Sequence, residues 1–515
     1  MRTNRRITAV SAALLFGLSA MMAVPVRATE GESELPSLAD AQVQAIRGVA
    51  VWKISVEQVY SGAEKYKGVP ILEDCRRLFE VAGLRVVTSD SDSFDGVLRI
   101  QLEGSPRSSR YMASPAVRYS GADVNISVSV EIDNERVVDL NPCSQSSPCP
   151  FMISGGYTSP ESAPFERTYY NCRRFFLQVF SLVHASRGTE GVMSVIGETD
   201  WNDADIRTHA CRFAGLSGDQ AFGVLLVAAL DNGDDTVRAD ICQSLGALRD
   251  AGSVETLCGI ALADSNWSVR AAAASALGKI GHASAVEALC QLVVTDGTIA
   301  VRGAAVEALA ELGNSAASPF LEKVLLFDDD HGVQKKAAES LDQLGWKPIS
   351  FEHKVFYYLA KEQEDQIRAM GAGAVPVLIE GLDHISSATR TSSVRLLGEL
   401  GAVRAVEPLC EVLSTAESKD LRREAARASG KIRDSKATPS LCRALLTDKE
   451  WPVREAAAEA LGEIAPGTEV VESLCQALLT DNQSSVRDAA AEALGKVGDA
   501  AAVDPLCQVL SLIHI

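Results

Sequence analysis

Apolar positions in the second half of the chain recur at the spacing of buried helix faces. In residues 269–281, VRAAAASALGKIG, the apolar side chains follow an i, i+3, i+4, i+7 pattern that places them on one stripe. Val286, Leu289, Cys290 and Val293 form a second stripe with the same period a few residues later. Two such stripes joined by a short polar segment predict a pair of packed helices.

This helix pair is repeated along the chain. Residues 453–464, VREAAAEALGEI, and residues 486–498, VRDAAAEALGKVG, are near-copies of residues 269–281. One helical hairpin cannot cover its own apolar face, whereas stacked copies can, so the repeats predict an α-solenoid. We define an anchor as the residue before the recurring Arg; successive anchors lie 31–33 residues apart with one gap of 56, at Ile206, Val237, Val269, Val301, Val333, Thr389, Leu421, Val453 and Val486.

These repeats resemble the HEAT-like repeats first associated with phycobilin lyases. The resemblance covers roughly residues 192–345 and 383–510. It implies a right-handed α–α superhelix whose second helices form a concave face that commonly holds proteins. We therefore predict repeat segments at 189–345 and 383–515.

The segment between the two repeat stretches, residues 346–382, interrupts the period. It is rich in aromatic residues in a chain where only 5% of residues are aromatic. An aromatic ligand pocket is one interpretation. A repacked junction between two half-solenoids is the interpretation that we favour.

The N-terminal third follows a different pattern. Residues 122–132 alternate between apolar and polar side chains, which predicts a half-buried strand, and a turn leads to a second strand at Val137–Leu140. Further strands are predicted at 49–59 and 96–102, with helices at 72–83 and 165–184. We predict a mainly α protein with a small N-terminal α+β domain over residues 29–188.

Residues 1–28 have the pattern of a signal peptide. Three arginines precede the uncharged apolar stretch Ile7–Val24, and Val26-Arg27-Ala28 offers small residues for cleavage. A retained membrane anchor is the competing interpretation, and Pro25 favours cleavage over it. We predict an exported protein, periplasmic or extracellular, with no stable membrane insertion after cleavage.

Net charge restricts the class of partner. The formal net charge is −19, and loss of residues 1–28, which hold four arginines and no acidic residue, changes it to −23. A field of that sign repels phosphate backbones, so we predict a protein partner and no nucleic acid.

Six of the twelve cysteines occupy one repeated position after a Leu in the first helix. Neighbouring parallel helices pack about 8–10 Å apart, beyond the reach of a disulfide of about 7 Å between Cα atoms. We therefore predict that these six are small buried apolar residues: Cys258, Cys290, Cys410, Cys442, Cys475 and Cys507. Cys143 with Cys149 is the best disulfide candidate, and Cys75 with Cys172 is a second one.

Six residues before the position of the recurring Arg, an Asp occurs in five repeats, one of which has Gln334 in place of the Arg: Asp264, Asp296, Asp328, Asp448 and Asp481. One hypothesis is a row of anion-binding sites. The hypothesis that we favour is a structural Asp–Arg ladder between the loops of adjacent repeats, because a binding site needs its residues in one place.

The chain lacks the motifs of the common catalytic sites. No HExxH, GxSxG or GxxxxGK[ST] motif occurs, and none of the seven His residues is followed by Glu. The His-Glu dipeptides of deoxyhypusine hydroxylase-like repeat proteins, which hold two irons, are therefore missing. We predict no catalytic, cofactor-binding or metal-binding residues and no cofactor. A bilin or cofactor lyase of the same repeat family and an envelope assembly subunit acting through the N-terminal domain remain open alternatives.

Charges on the second helices predict where a partner binds. Residues 390–436 hold ten Lys or Arg against seven acidic residues, a net +3 within an acidic chain. We expect Arg395, Arg423, Arg427 and Lys431 to contact an acidic surface of a partner protein. The last repeat, after Cys507, lacks a second helix, which predicts that the chain is incomplete at its C-terminus.

Overall fold

A computed structural model describes residues 35, 38–60, 70–87, 92–109, 119–147, 173–197, 204–232, 234–464, 467–499, 503 and 506–507. The predicted signal peptide at 1–28 lies outside these residues. The chain divides into two compact units, Met1–Leu248 and Arg249–Ile515. No helix within the described ranges has the length and apolar content needed to cross a bilayer.

The first unit is built on a five-stranded sheet with the order β2-β1-β3-β4-β5. β1 runs parallel to β2 and β3, and β3, β4 and β5 are antiparallel to one another. The described strands are β1 Val51–Tyr60, β2 Arg85–Val87, β3 Gly96–Ser109, β4 Tyr119–Ile132 and β5 Glu135–Ser147. All predicted strands are thus present, and three of them, β3, β4 and β5, are longer than the alternating pattern indicated.

Asp133 and Asn134 form the turn between β4 and β5. Both residues have positive φ, 54° and 64°, as a two-residue hairpin turn of matching twist requires. Asn and Asp tolerate this region better than other side chains, so the turn that the sequence predicted at this position has a local cause.

Helices cover one face of the sheet, as its alternating apolar residues require. Trp52 of β1 is fully buried and meets Phe79 edge to face, with ring centroids 5.5 Å apart. The helices of this unit are α1 Asp40–Arg47, α2 Ile71–Val81, α3 Arg173–Gly197, α4 Ala204–Leu216, α5 Ala221–Ala229 and α6 Asp235–Leu248. α3 is broken at Gly188, where φ is 67°. α4 and α6 carry the first two anchors of the repeat.

The second unit is helical throughout its described residues. Its first repeats comprise α7 Val254–Ala263, α8 Trp267–Ile280, α9 Ala285–Thr295, α10 Ile299–Leu312, α11 Ser318–Phe327 and α12 His331–Gln343. The interrupted segment forms α13 Phe351–Ala360, α14 Glu364–Met370 and α15 Val375–Glu380. The later repeats comprise α16 Ser387–Glu399, α17 Val406–Thr415, α18 Lys419–Ile432, α19 Thr438–Thr447, α20 Trp451–Glu463, α21 Thr468–Thr480 and α22 Ser484–Val497.

The predicted apolar stripes form the core of these repeats. Val269, Ala273 and Leu277 of α8 are fully buried, and Leu289 of α9 packs as predicted. Each buried Leu or Val stabilises the fold by about 1.5–3 kcal/mol relative to exposure. Gly281 ends α8 in the left-handed region with φ of 76°, as the helix C-terminus favours.

Aromatic residues of the interrupted segment make contacts with nearby residues. Phe356 of α13 is buried, and the Tyr357 hydroxyl donates a hydrogen bond of 2.6 Å to Asp342 Oδ1. Trp346 and Tyr357 lie with their ring centroids 6.1 Å apart. The junction interpretation and the aromatic-pocket alternative both stay predictions.

Candidate functional site

The recurring arginines form a ladder between consecutive loops. Arg302 Nε donates to Asp328 Oδ2 at 2.7 Å and Nη2 donates to Oδ1 at 2.9 Å. Its Nη1 donates to the carbonyl of Asp296, in the loop of its own repeat. The same fork joins Arg270 to Asp296, Arg422 to Asp448 and Arg454 to Asp481. Among the described residues the Asp–Arg ladder is therefore structural, as we predicted.

Each ladder aspartate has a fixed set of donors. Asp448 accepts from Arg422 and, through Oδ1, from the backbone N–H of Glu450 at 2.9 Å. Burial opposes ionisation, but the hydrogen bonds from the arginine and the loop outweigh it, so the pKa of Asp448 is below its ordinary value. The pKa values of Asp296 and Asp481 are lowered in the same way.

The junction interrupts this ladder. Gln334 stands where the other repeats have Arg, and His384 stands where they have the loop Asp. His384 Nε2 lies 2.6 Å from the carbonyl oxygen of Leu326, and burial holds the pKa of His384 below its ordinary value, with repulsion from Arg390 adding to the effect. Gln334 instead donates to the carbonyl of Leu325 and accepts from the Thr389 hydroxyl, so no Arg–Asp pair forms at this point of the ladder.

Glycines let successive second helices approach closely. A Cβ built on Gly430 of α18 would lie 2.8 Å from both Cα and Cβ of Ala460 in α20. Gly398 and Gly462 meet Ala428 and Ala493 in the same way, at 2.7–2.9 Å. In α16, α18 and α20, the LG or SG pair near the end of the helix is therefore a packing requirement. The sequence analysis had not assigned these glycines a role.

A groove runs across the second helices α16, α18, α20 and α22. Its volume is about 700 Å³, and its floor includes Gly398, Gly430 and Ala460. Eight charged residues line it, four basic and four acidic: Arg427, Lys431, Arg433, Lys496, Glu399, Glu459, Glu463 and Glu492. This groove is the candidate functional site.

The four predicted partner-binding residues lie together on α16 and α18. Each has a carboxylate nearby: Arg395 is bonded to Glu364, Arg423 lies 3.0 Å from Asp420, and Lys431 lies 3.9 Å from Glu399. Arg427 lies 3.2 Å from Glu424 and 3.9 Å from Glu459. Glu364 and Glu459 belong to neighbouring helices outside residues 390–436, so a count along the chain missed their charge.

The charge of the groove changes sign along the row of second helices. Six residues after each anchor, Arg395 and Arg427 are followed by Glu459 and Glu492. Ten residues after each anchor, the charges alternate as Glu399, Lys431, Glu463 and Lys496, with Lys496 Nζ 3.2 Å from Glu463. The surface is therefore mixed in charge: α18 is basic, α20 is acidic, and α16 and α22 each carry one charge of either sign at these positions.

The repeated cysteines lie in the packed helices. Cys290 and Cys442 are buried, Cys258, Cys410 and Cys475 are half-buried, and Cys507 is exposed. None of the six is bonded to another cysteine of the described part of the chain. Burial raises the pKa of Cys290 to about 11, which keeps it a thiol.

The two disulfide predictions fall largely outside the described residues. Cys143 lies on β5 opposite Ile126, but its predicted partner Cys149 is outside the described part. Cys75 is buried in α2, and its predicted partner Cys172 is likewise outside. Both pairings stay predictions. Over the residues that the structure describes, no three His, Cys, Asp or Glu side chains are grouped to hold a metal ion.

Comparison with known proteins identifies the repeats. The sequence profile of HEAT repeats matches residues 254–342, 375–462 and 443–511. No curated protein matches the chain with significant sequence similarity.

Several solved structures are similar to parts of the chain at low identity. Human deoxyhypusine hydroxylase in complex with glycerol is 22% identical over 60% of this chain and 96% of its own, with a TM-score of 0.23. The CpcE–CpcF complex of phycocyanin lyase from Nostoc sp. PCC7120 is 23% identical over 49% of this chain and 92% of its own, with a TM-score of 0.20. Kap95p, in a complex with RanGDP, is 16% identical over 66% of this chain and 54% of its own, with a TM-score of 0.38.

Proposed function

The chain belongs to the HEAT-repeat proteins through residues 254–342 and 375–511, and from this premise we propose that it is an exported scaffold without catalytic activity that holds another protein. The observation that carries the proposal is the groove across α16, α18, α20 and α22. A long surface with a floor of small residues and charged walls suits a folded or extended polypeptide better than a small molecule, which needs an enclosed and mostly apolar pocket.

The order of charges along the groove predicts the charges on a complementary partner. Arg427 and Lys431 of α18 line one part of the groove, and Glu459 and Glu463 of α20 line the next part. Arg423 lies on α18 outside the groove lining. A complementary partner therefore has acidic residues facing α18 and basic residues facing α20. Such complementarity raises the association rate and excludes wrong partners more than it raises affinity.

Three further parts of the proposal rest on the sequence. Export follows from the pattern of residues 1–28. A protein partner rather than nucleic acid follows from the net charge of −19, which repels phosphate backbones. The missing catalytic motifs, together with the lack of a metal-holding cluster in the described ranges, support a binding role.

Reversal of two charges on α18 tests the proposal. Arg423→Glu with Arg427→Glu places two carboxylates beside Asp420, Glu424 and Glu459, so we expect partner capture to fall at least tenfold at low salt. Capture is measured by quantitative mass spectrometry after crosslinking of the tagged full chain in its native host. We also expect the wild-type capture to weaken as ionic strength rises.

A matched variant separates the groove from net charge. Arg404→Glu with Lys347→Glu changes the charge by the same amount at two exposed cations that do not line the groove. This variant should capture the same partner as the wild type. Equal capture by both double variants, with unchanged circular dichroism, would place the contact elsewhere on the chain.

A further inference from the structure

We call each ladder arginine, together with the Asp of the next loop that it binds, a rung. Among the described rungs, that of Arg390 lacks the carboxylate. In the second unit, the residue 26 or 27 positions after each ladder arginine is Asp for Arg270, Arg302, Arg422 and Arg454. For Arg390 the residue 26 positions later is Ala416, and the side chain of the next residue, Glu417, forms no ion pair with Arg390 within the described residues. The corresponding position for Arg487 lies outside the described residues.

Arg390 nevertheless holds the pose of its counterparts. Its Nη1 donates to the carbonyls of His384 at 2.5 Å and Ile385 at 2.8 Å. Arg270 Nη1 likewise donates to the backbone carbonyls of Asp264 and Ser265. The remaining donors of Arg270, Nε and Nη2, bind the carboxylate of Asp296 in the next loop. Within the described part of the chain, Nε and Nη2 of Arg390 have no acceptor. Two N–H donors of the Arg390 guanidinium, at Nε and Nη2, are therefore without a protein acceptor in the described residues.

A third donor without a protein acceptor in the described residues lies in the loop after Ala416. In the filled rungs the Asp Oδ1 accepts from the backbone N–H two residues later, at Thr298, Asp330, Glu450 and Gln483. The equivalent group is the N–H of Ser418, which is exposed and donates to no acceptor among the described residues. Four filled rungs show that these three donors converge on the two oxygens of one carboxylate.

Solvent can reach this empty rung. Ala416 and Arg390 are half-buried, whereas the aspartates of the filled rungs have side-chain exposures of 5–10%. A cavity of about 360 Å³ adjoins Ala416 and is also lined by the filled rung of Arg422 and Asp448 and by two exposed cations, Arg443 and Lys449. Neither exposed cation forms an ion pair within the described residues. The cavity thus gives solvent access to the Ala416 side of the rung.

We propose that the empty rung formed by Arg390 and the loop at Ala416–Ser418 binds a carboxylate supplied from outside the repeat. A guanidinium fork and a backbone N–H match the two oxygens and the plane of a carboxylate. The natural source of that carboxylate is an acidic side chain of the partner, and this part of the inference rests on the proposed function. A free small carboxylate would use the same three donors.

Acetate is the first probe of the site. The melting temperature of the full chain is measured in sodium acetate and in sodium chloride at equal ionic strength and at pH 7. Binding to the folded state alone raises the melting temperature, and we expect a rise of about 2 °C in 100 mM acetate over chloride.

Three variants identify the rung as the cause. Ala416→Asp supplies the carboxylate within the chain, so it should raise the melting temperature in chloride and abolish the acetate response. Arg390→Lys keeps the charge but loses the fork, so the acetate response should also disappear. Arg454→Lys weakens a filled rung and serves as the control: it lowers the melting temperature in both salts but keeps the acetate response.

The source of the carboxylate is tested with a peptide. The probe is acetyl-Thr-Asp-Lys-Glu-amide, the sequence of residues 447–450, which contains a ladder aspartate in its loop context. A response to this peptide at a concentration at least tenfold lower than for acetate supports a polypeptide source. An equal response per carboxylate supports a free small anion at the same site.

Two results would overturn the proposal. One is a wild-type protein with the same melting temperature in both salts. The other is an acetate response that persists in Ala416→Asp. The Arg423→Glu, Arg427→Glu double variant should keep the acetate response, so failure of the groove and failure of the rung are distinguishable.

Discussion

At the scale of single residues, the ladder is made of buried charge pairs whose two partners depend on each other. Arg302 and Asp328 have side-chain exposures of 9% and 5%, so neither charge has much access to water. Loss of one partner from a buried pair leaves the other charge without compensation, which costs far more than the pair contributes over an apolar replacement. The ladder is thus sensitive to single substitutions.

We expect Arg302→Met to lower the free energy of unfolding by about 3–5 kcal/mol, because Asp328 then stays buried without its guanidinium. Urea denaturation followed by circular dichroism measures the change. Arg433→Met is the control, because Arg433 has a side-chain exposure of 66% in its pair with Glu463. This substitution should lower the free energy of unfolding by less than about 1 kcal/mol. The double variant Arg302→Met, Asp328→Leu should recover part of the loss. Equal losses for Arg302→Met and Arg433→Met would refute the buried-charge account.

At the scale of the helices, the distance between neighbouring second helices is set by glycine. The Cβ positions of Gly398, Gly430 and Gly462 are occupied by the alanines of the next helix. An interior close-packed to this degree cannot absorb an added methyl group without moving a helix. Because Gly398 and Gly430 also line the groove, helix spacing and the shape of the groove are linked.

Gly430→Ala should therefore lower the free energy of unfolding by about 1–3 kcal/mol, despite the better helix propensity of Ala. Gly259→Ala in α7 is the matched control, because a Cβ there meets nothing within 4 Å. That substitution should raise stability by about 0.5–1 kcal/mol. Chemical denaturation of both variants provides the comparison. A gain for Gly430→Ala would mean that the second helices can separate freely.

At the scale of the whole molecule, the ladder makes the free energy of unfolding depend on pH. The pKa values of Asp296, Asp448 and Asp481 are lower in the folded chain than the ordinary Asp value. A lowered pKa contributes stability that is fully present above the unfolded value and lost as pH falls through the folded value. With an unfolded Asp pKa of about 3.9, the ladder contribution is complete at about pH 5 and declines below about pH 4.

We therefore expect the free energy of unfolding to fall steeply between about pH 4 and pH 3. Asp448→Asn isolates the ladder from the other carboxylates: it should be less stable than the wild type at pH 6, and the difference should shrink as pH falls. Urea midpoints from pH 6 to pH 3 measure both curves. A difference that stays constant across this range would show that Asp448 does not titrate with a lowered pKa.

The amino-acid sequence by itself determined the repeats, the helix pairs, the strands and the ladder. These features follow from local rules that are visible along the chain: an apolar period of 3.6 or 2, turn residues such as Asp133-Asn134, and an Arg and an Asp that return every 32 residues or so. The sequence also located Arg395, Arg423, Arg427 and Lys431, and the structure brings them together on α16 and α18.

Only the tertiary structure decided what surrounds those residues. Glu364 and Glu459, which lie beside Arg395 and Arg427, come from neighbouring helices, so the net charge of one stretch of chain does not give the charge of the surface. Three features depend on which residues of different repeats become neighbours. They are the ion pairs, the close contact of Gly430 with Ala460 and the donors of Arg390 that have no acceptor. Stacking of the repeats fixes those neighbours, and a pattern read within one repeat does not contain them.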